Sequence, residues 1–208
     1  MNSEKNTLIK DAVKLFVITL IAALALGAVY EITRQPIACA AEGRRLEAAR
    51  TVFPEMQEMR ECGITPEELQ SEVISVNPQY ENVTVDDVLL ACDGEGNCLG
   101  YILTMNSSAG YGGDITIMMG VASDGILYGI DFISISETAG LGMKAKDEEF
   151  KTQFRGADTD SFSLKKRDIS GTTEVDAISS ATVTTAAVTR MVNAGLSVAE
   201  KLNGATGV

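Results

Sequence analysis

The stretch ITIMMGVASDGILYGIDFISI, residues 115–135, decides the fold. Two runs rich in β-branched and other apolar residues, 115–122 and 126–135, stand on either side of Asp124-Gly125. Asp-Gly supplies the positive-φ corner that a tight hairpin needs, so the two runs are predicted as neighbouring antiparallel strands. Upstream, residues 85–92 and 99–105 have the same texture. They are joined through the turn formers Gly94 to Asn97, and Ser107 to Gly113 leads into the next strand. Downstream, residues 181–202 carry Val183, Ala187, Met191, Leu196 and Ala199 toward one side of a predicted helix. Another helix start stands at Thr65-Pro66-Glu67-Glu68, where Thr caps, Pro suits the first turn and Glu68 completes a capping box. Strands grouped together with helices around them make an α+β domain with an antiparallel sheet.

Before this domain, residues 12–32 hold a near-continuous apolar run from Leu15 to Tyr30. At about 1.5 Å per residue the segment spans about 31 Å, close to the hydrocarbon thickness of a bilayer. Lys14 and Glu31 sit near its ends, where side chains reach the headgroups. A soluble helix this apolar on every side needs a far larger core around it, so a single transmembrane helix is expected. The run is longer than the apolar part of a cleaved signal, and the small residues at 38–41 come well after it, so it is read as retained. The chain then divides into a short N-terminal tail (1–11), the transmembrane helix (12–32), a juxtamembrane helical connection (33–72) and the globular domain (73–208). Within the connection, Ala41, Leu46, Ala49, Val52 and Phe53 recur at helical spacing before Pro54, predicting a short helix over 38–52. Lys5, Lys10 and Lys14 face Arg34, Arg44, Arg45 and Arg50 across the span, so counting basic residues leaves the orientation open.

Charge and composition exclude several classes of function. The net charge of −12 lies entirely beyond residue 32, and an acidic domain is repelled by the phosphates of nucleic acid. The chain has no histidine, which removes His-based triads and zinc sites; no catalytic residue and no metal ligand is assigned. Cys92 and Cys98 flank the turn at 93–97 and can face each other across a hairpin, either as a disulfide on the oxidising side of a membrane or as two reduced thiols. Cys39 and Cys62 have no informative spacing.

The stretch with most chemistry in it is Asp176-Ala177-Ile178-Ser179-Ser180-Ala181-Thr182-Val183-Thr184, where a loop enters the last helix. As local structure it is a polar cap, with Asp176, Ser179 and Ser180 accepting first-turn amides. As a site, the same free amides and the positive helix end suit a phosphate.

Asp176-x-x-Ser179-Ser180-Ala181-Thr182 resembles the Dxx(S/T)GAT signature of the FMN-binding domain found in the G subunit of Rnf complexes and the C subunit of sodium-pumping NADH:quinone reductases. Gly110-Tyr111-Gly112-Gly113-Asp114 and Glu137-Thr138-Ala139-Gly140-Leu141-Gly142 resemble the GYGG and ETPGLG segments of the same family, in the same order. The family glycine is Ser180 here and the family proline is Ala139. Serine fits at 180 unless the backbone there takes a positive φ.

The resemblance implies that a flavin transferase joins FMN as a phosphoester to Thr182. It places Ser179, Ser180, Ala181, Val183 and Thr184 around the phosphate, and Glu137, Thr138, Gly140, Leu141 and Gly142 along the ring and ribityl chain. Lys144 is a candidate to offset negative charge. It further implies an electron carrier in a redox-driven ion-translocating oxidoreductase moving electrons between ferredoxin and NAD. The partners would be the other membrane and peripheral subunits, and the flavin domain would lie on the extracytoplasmic side of the cell membrane. The alternatives are the C subunit of a quinone reductase, a cofactor-free membrane-anchored scaffold, and a domain binding a free phosphorylated ligand reversibly.

Overall fold

The computed structural model describes residues 2–164 and 173–206; residues 165–172 and 207–208 of the 73–208 range lie outside the described residues. The chain falls into two compact units, Met1–Gly43 and Arg44–Val208.

The first unit is helical. Helix α1, Asn2–Val52, begins here and runs on into the second unit without a break. Where the residue spacing suggested a separate short helix over 38–52, the helix is continuous. Pro36 removes only one backbone donor, and Ala40, Ala41, Leu46, Glu47 and Ala48 beyond it all favour helix. Leu15, Phe16, Ile18, Ile21, Leu24 and Leu26 are between 62% and 76% exposed, so this apolar surface has no cover among the described residues. The Thr19 and Thr33 hydroxyls donate back to the carbonyls of Leu15 (3.0 Å) and Val29 (2.8 Å), leaving little polar demand on the surroundings. The apolar stretch of this helix, exposed along its length and long enough to cross a bilayer, fits a single membrane span.

The second unit is built on a five-stranded antiparallel sheet in chain order. Its strands are β1 (Glu58–Glu61), β2 (Val83–Cys92), β3 (Cys98–Ser107), β4 (Ile115–Ala122) and β5 (Leu127–Ile135). The α+β reading holds. Helix α2, Pro66–Val76, starts at Thr65, whose N–H donates to Glu68 Oε2 (3.3 Å) in the expected capping box. A short helix α3, Glu148–Lys151, lies between two tight 3-10 turns. Strands β6 (Phe162–Leu164) and β7 (Thr173–Val175) pair in parallel, and α4, Thr182–Thr206, ends the fold.

Alternation along the central strands feeds two cores. Tyr101, Leu103 and Met105 of β3 and Ile117, Met119 and Val121 of β4 point to one face, where they pack with Val188, Met191, Val192 and Leu202 of α4. Ile102 and Met118 point to the other face, against Ala48, Ala49, Val52 and Phe53 at the end of α1. Both faces of β3 and β4 are therefore covered, which is why these strands read as almost unbroken apolar runs. Helix α4 comes close to the sheet at Gly195, where a side-chain carbon would meet the Met119 sulfur. Asn193 fixes β6 to α4 by accepting from Phe162 N–H (2.8 Å) and donating to Phe162 O (2.9 Å). Met191 is fully buried on the sheet-facing side of α4, and truncating it to alanine would cost about 2–5 kcal/mol.

Candidate functional site

Three loops meet at the N-terminal end of α4. Residues 110–113 connect β3 to β4, residues 136–142 follow β5, and residues 176–181 precede α4. A cavity of about 400 Å³ opens between them, inside the range of about 300–1,000 Å³ typical of small-molecule sites. Its walls come from all three loops, and α4 supplies the floor.

Glu137 is the hub. Its Oε1 accepts the Tyr111 N–H (2.8 Å) and the Thr184 hydroxyl (3.0 Å), and its Oε2 accepts the Gly112 N–H (3.1 Å). One carboxylate thus carries three hydrogen bonds, each stronger than a neutral one because the acceptor is charged. The fit around it is close at Gly142, where a side-chain carbon would sit 2.7 Å from Glu137 Oε2 and 2.8 Å from its Cβ.

Accessibility separates the threonines at the helix start. Thr184 and Thr185 are 1% and 0% exposed; Thr182 is exposed. Thr184 is committed to Glu137. Thr185 Oγ1 donates to Ala181 O (3.0 Å) and accepts from Ile178 N–H (3.1 Å), tying the loop to the first turn of the helix. Asp176 is held through its backbone, which exchanges hydrogen bonds with the Gln153 amide (2.7 and 3.4 Å). Ser180 has φ +66°, and among the described residues it is the one non-glycine with a positive φ. The condition under which serine does not fit comfortably is met: the family's glycine position does take the left-handed conformation.

Of the residues singled out from the sequence, Glu137, Thr138, Leu141, Gly142, Ser180, Ala181, Thr182, Val183 and Thr184 line this cavity. Ser179, Gly140 and Lys144 lie outside the lining. Val183, expected on the buried side of the helix, is 49% exposed at the cavity, whereas Ala187, Met191, Leu196 and Ala199 are buried as expected. Tyr111, 76% exposed, is an additional lining residue, and its place between the glycines of the 110–113 motif was its signal. Tyr111, Leu141 and Val183 offer apolar surface at the opening, suited to a flat aromatic ring.

The donor set suits a phosphate as well. The first-turn amides of α4 have no acceptor within the helix, the dipole of a 25-residue helix favours an anion, and the Thr182 hydroxyl stands among them. Residues 110–197 match the FMN-binding domain family. This span takes in all three loops of the cavity, and the FMN-binding match therefore falls on the site rather than on the anchor.

Two relatives extend the comparison. The G subunit of the Na(+)-translocating ferredoxin:NAD(+) oxidoreductase complex of Acetobacterium woodii is 34% identical over 110 residues, 52% of this chain and 53% of that protein. The chain thus spans about half the length of this curated relative. The G subunit of the ion-translocating oxidoreductase complex of Methanosarcina acetivorans is 28% identical over 187 residues, 89% of this chain and 91% of that protein. Among solved structures, the C subunit of the Na(+)-translocating NADH-quinone reductase of Parabacteroides distasonis superposes with a TM-score of 0.52 at 22% identity. The match covers 78% of this chain and 91% of that one, and the two share the fold.

Proposed function

We propose that this chain carries FMN covalently as a phosphoester on Thr182 and serves as an electron carrier within an Rnf-type ion-translocating ferredoxin:NAD oxidoreductase. The observation that carries the attachment point is the contrast between Thr182, exposed at the cavity, and Thr184 and Thr185, buried and hydrogen-bonded beneath it. The two relatives named as G subunits support the assignment to a complex. The apolar length of α1 supports a single-pass anchor. The flavin domain is assigned to the extracytoplasmic side, with the other proteins of the complex as partners and a flavin transferase acting during maturation.

In this reading the flavin supplies one- and two-electron transfer, and the protein supplies position and surroundings. Attachment requires the Thr182 hydroxyl to lose its proton as its Oγ1 bonds to phosphorus and the leaving group of an activated flavin donor departs. The amides of Thr182, Val183 and Thr184 would hold the phosphate oxygens, with Ser180 beside them. Glu137 holds the 110–113 loop and Thr184 in place, and Tyr111, Leu141 and Val183 offer the ring an apolar bed. Ser179, Gly140 and Lys144 stand further out, where Lys144 would act only through long-range charge.

The test is the intact mass of denatured protein made together with a flavin transferase, compared with Thr182→Ala. A mass increment of one FMN that is absent in the variant is expected. Unmodified protein despite an active transferase would favour the scaffold reading. Flavin that is released on denaturation would favour reversible binding.

A further inference from the structure

The β2–β3 hairpin sets its two cysteines against each other. Cys92 and Cys98 are register partners, two free thiols whose Sγ atoms share a hydrogen bond at 3.9 Å. Cys92 O accepts the Gln57 N–H (2.9 Å), so the polar backbone groups of Cys92 face β1 rather than β3. Cys92 and Cys98 therefore form a non-hydrogen-bonded pair, the type in which opposite side chains come closest. The turn between them is built to hold that register. Asp93 N–H donates to Asn97 O (3.0 Å), and Asp93 Oδ1 accepts the N–H groups of Glu95 and Asn97 (both 2.9 Å). Asp93 Oδ2 accepts from Asn97 Nδ2 (2.9 Å), and Gly96 closes the corner at φ +88°.

We propose that Cys92 and Cys98 are a closable dithiol, converted to an intramolecular disulfide by a disulfide oxidant. The order of events follows from exposure, since Cys92 is 0% exposed and Cys98 is partly exposed. Cys98 loses its proton and its thiolate attacks one sulfur of the oxidant's disulfide, releasing the first thiol. Cys92 then loses its proton and attacks Cys98 Sγ, releasing the second thiol. Two protein thiols are oxidised and one disulfide is reduced to two thiols, so electrons and protons balance. Burial raises the Cys92 thiol above its ordinary range, as do the hydrogen bond and charge of Cys98 and the charge of Glu58, while the Arg60 guanidinium pulls the other way. Cys92 is thus a poor first nucleophile and a suitable second one, acting on a sulfur already held beside it. Cys62 is the third thiol within electrostatic reach, and Cys39 is exposed.

This dithiol acts independently of the flavin, and its experiment uses the full chain in membranes. The protein is treated with oxidised glutathione, denatured, alkylated with N-ethylmaleimide and mapped by mass spectrometry. The expected result is loss of alkylation at both Cys92 and Cys98, with the 92–98 peptide lighter by two hydrogens and carrying no glutathione, whereas Cys39 and Cys62 end as alkylated thiols or as glutathione adducts. Cys92→Ser should stop at a stable glutathione adduct on Cys98, while Cys98→Ser should leave Cys92 unmodified. Full alkylation of all four after oxidation, or a bond from Cys98 to Cys62, would overturn it.

Discussion

The Thr184 hydroxyl donates a 3.0 Å hydrogen bond to the Glu137 carboxylate across 47 positions of sequence. With the two bonds Glu137 accepts from the 110–113 loop, this joins that loop and the 136–142 loop to the first turn of α4. Thr184→Val and Glu137→Gln should each cost about 1–3 kcal/mol in denaturant unfolding, because each strands a polar group in a tight space. The double variant should cost less than the sum by about 0.5–3 kcal/mol. Additive costs would mean that the two side chains do not act together.

Ser180 stores strain at φ +66°. Ser180→Gly should raise stability by about 0.5–1 kcal/mol, since glycine adopts this conformation without a Cβ clash but gives up more chain entropy. Ser180→Val should lower it, because a branched side chain tolerates positive φ worst. Urea unfolding of the three proteins gives the order directly, and an unfolding midpoint for the glycine variant below that of serine would contradict the strain.

Gly142→Ala would place a carbon within 2.8 Å of the Glu137 side chain. The cost should be about 1–3 kcal/mol from overpacking. Flavin incorporation should slow with it, measured as labelled mass against time. Gly140 is a useful contrast: its Cβ would meet open space although its φ is +77°. Gly140→Ala should therefore strain the backbone and leave the Glu137 hydrogen bonds intact.

Lys151 lies 9% exposed between Asp131 (3.0 Å) and Glu148 (2.6 Å). Burial works against its charge, but the hydrogen bonds it donates to Glu148 and Asp131, with their charges, outweigh it and raise its pKa above the ordinary 10.5. Its contribution is then fully present below 10.5 and is lost as pH rises through the higher folded value. For Glu148 the hydrogen bond from Lys151 leads in lowering the pKa below 4.5, so that contribution is present above 4.5 and lost as pH falls. The network should support stability evenly between these limits. Lys151→Met should cost about 1–3 kcal/mol at neutral pH, discounted for the exposure of Glu148. Its unfolding midpoint should approach that of the parent protein at both pH extremes.

Much of the fold was legible because β2 to β5 combine apolar alternation with turns that name their own geometry, Asp124-Gly125 above all. Strand β1 was not, because Glu58, Arg60 and Glu61 look like loop and pair only as an edge. Strands β6 and β7 are three residues each, too short for any period to emerge. The continuity of α1 was hidden by Pro36, whose effect depends on the strength of the helix around it. In the site, the motif spacing pointed to Thr182 and its neighbours, whereas Glu137's three partners lie 25, 26 and 47 positions away and leave no local trace. The different fates of Thr182, Thr184 and Thr185 depend on which side of α4 meets the sheet.

The sheet runs in simple sequence order, and α4 comes last of the described elements. During synthesis, neighbouring strands can pair as soon as each emerges, since every partner is the strand just made. The cavity does not exist at that stage, because its floor and the Thr182 hydroxyl arrive with α4. If Thr182 carries the flavin as proposed, an enzyme that recognises the assembled pocket would leave chains without α4 unmodified, so attachment would report that the sheet and α4 had come together.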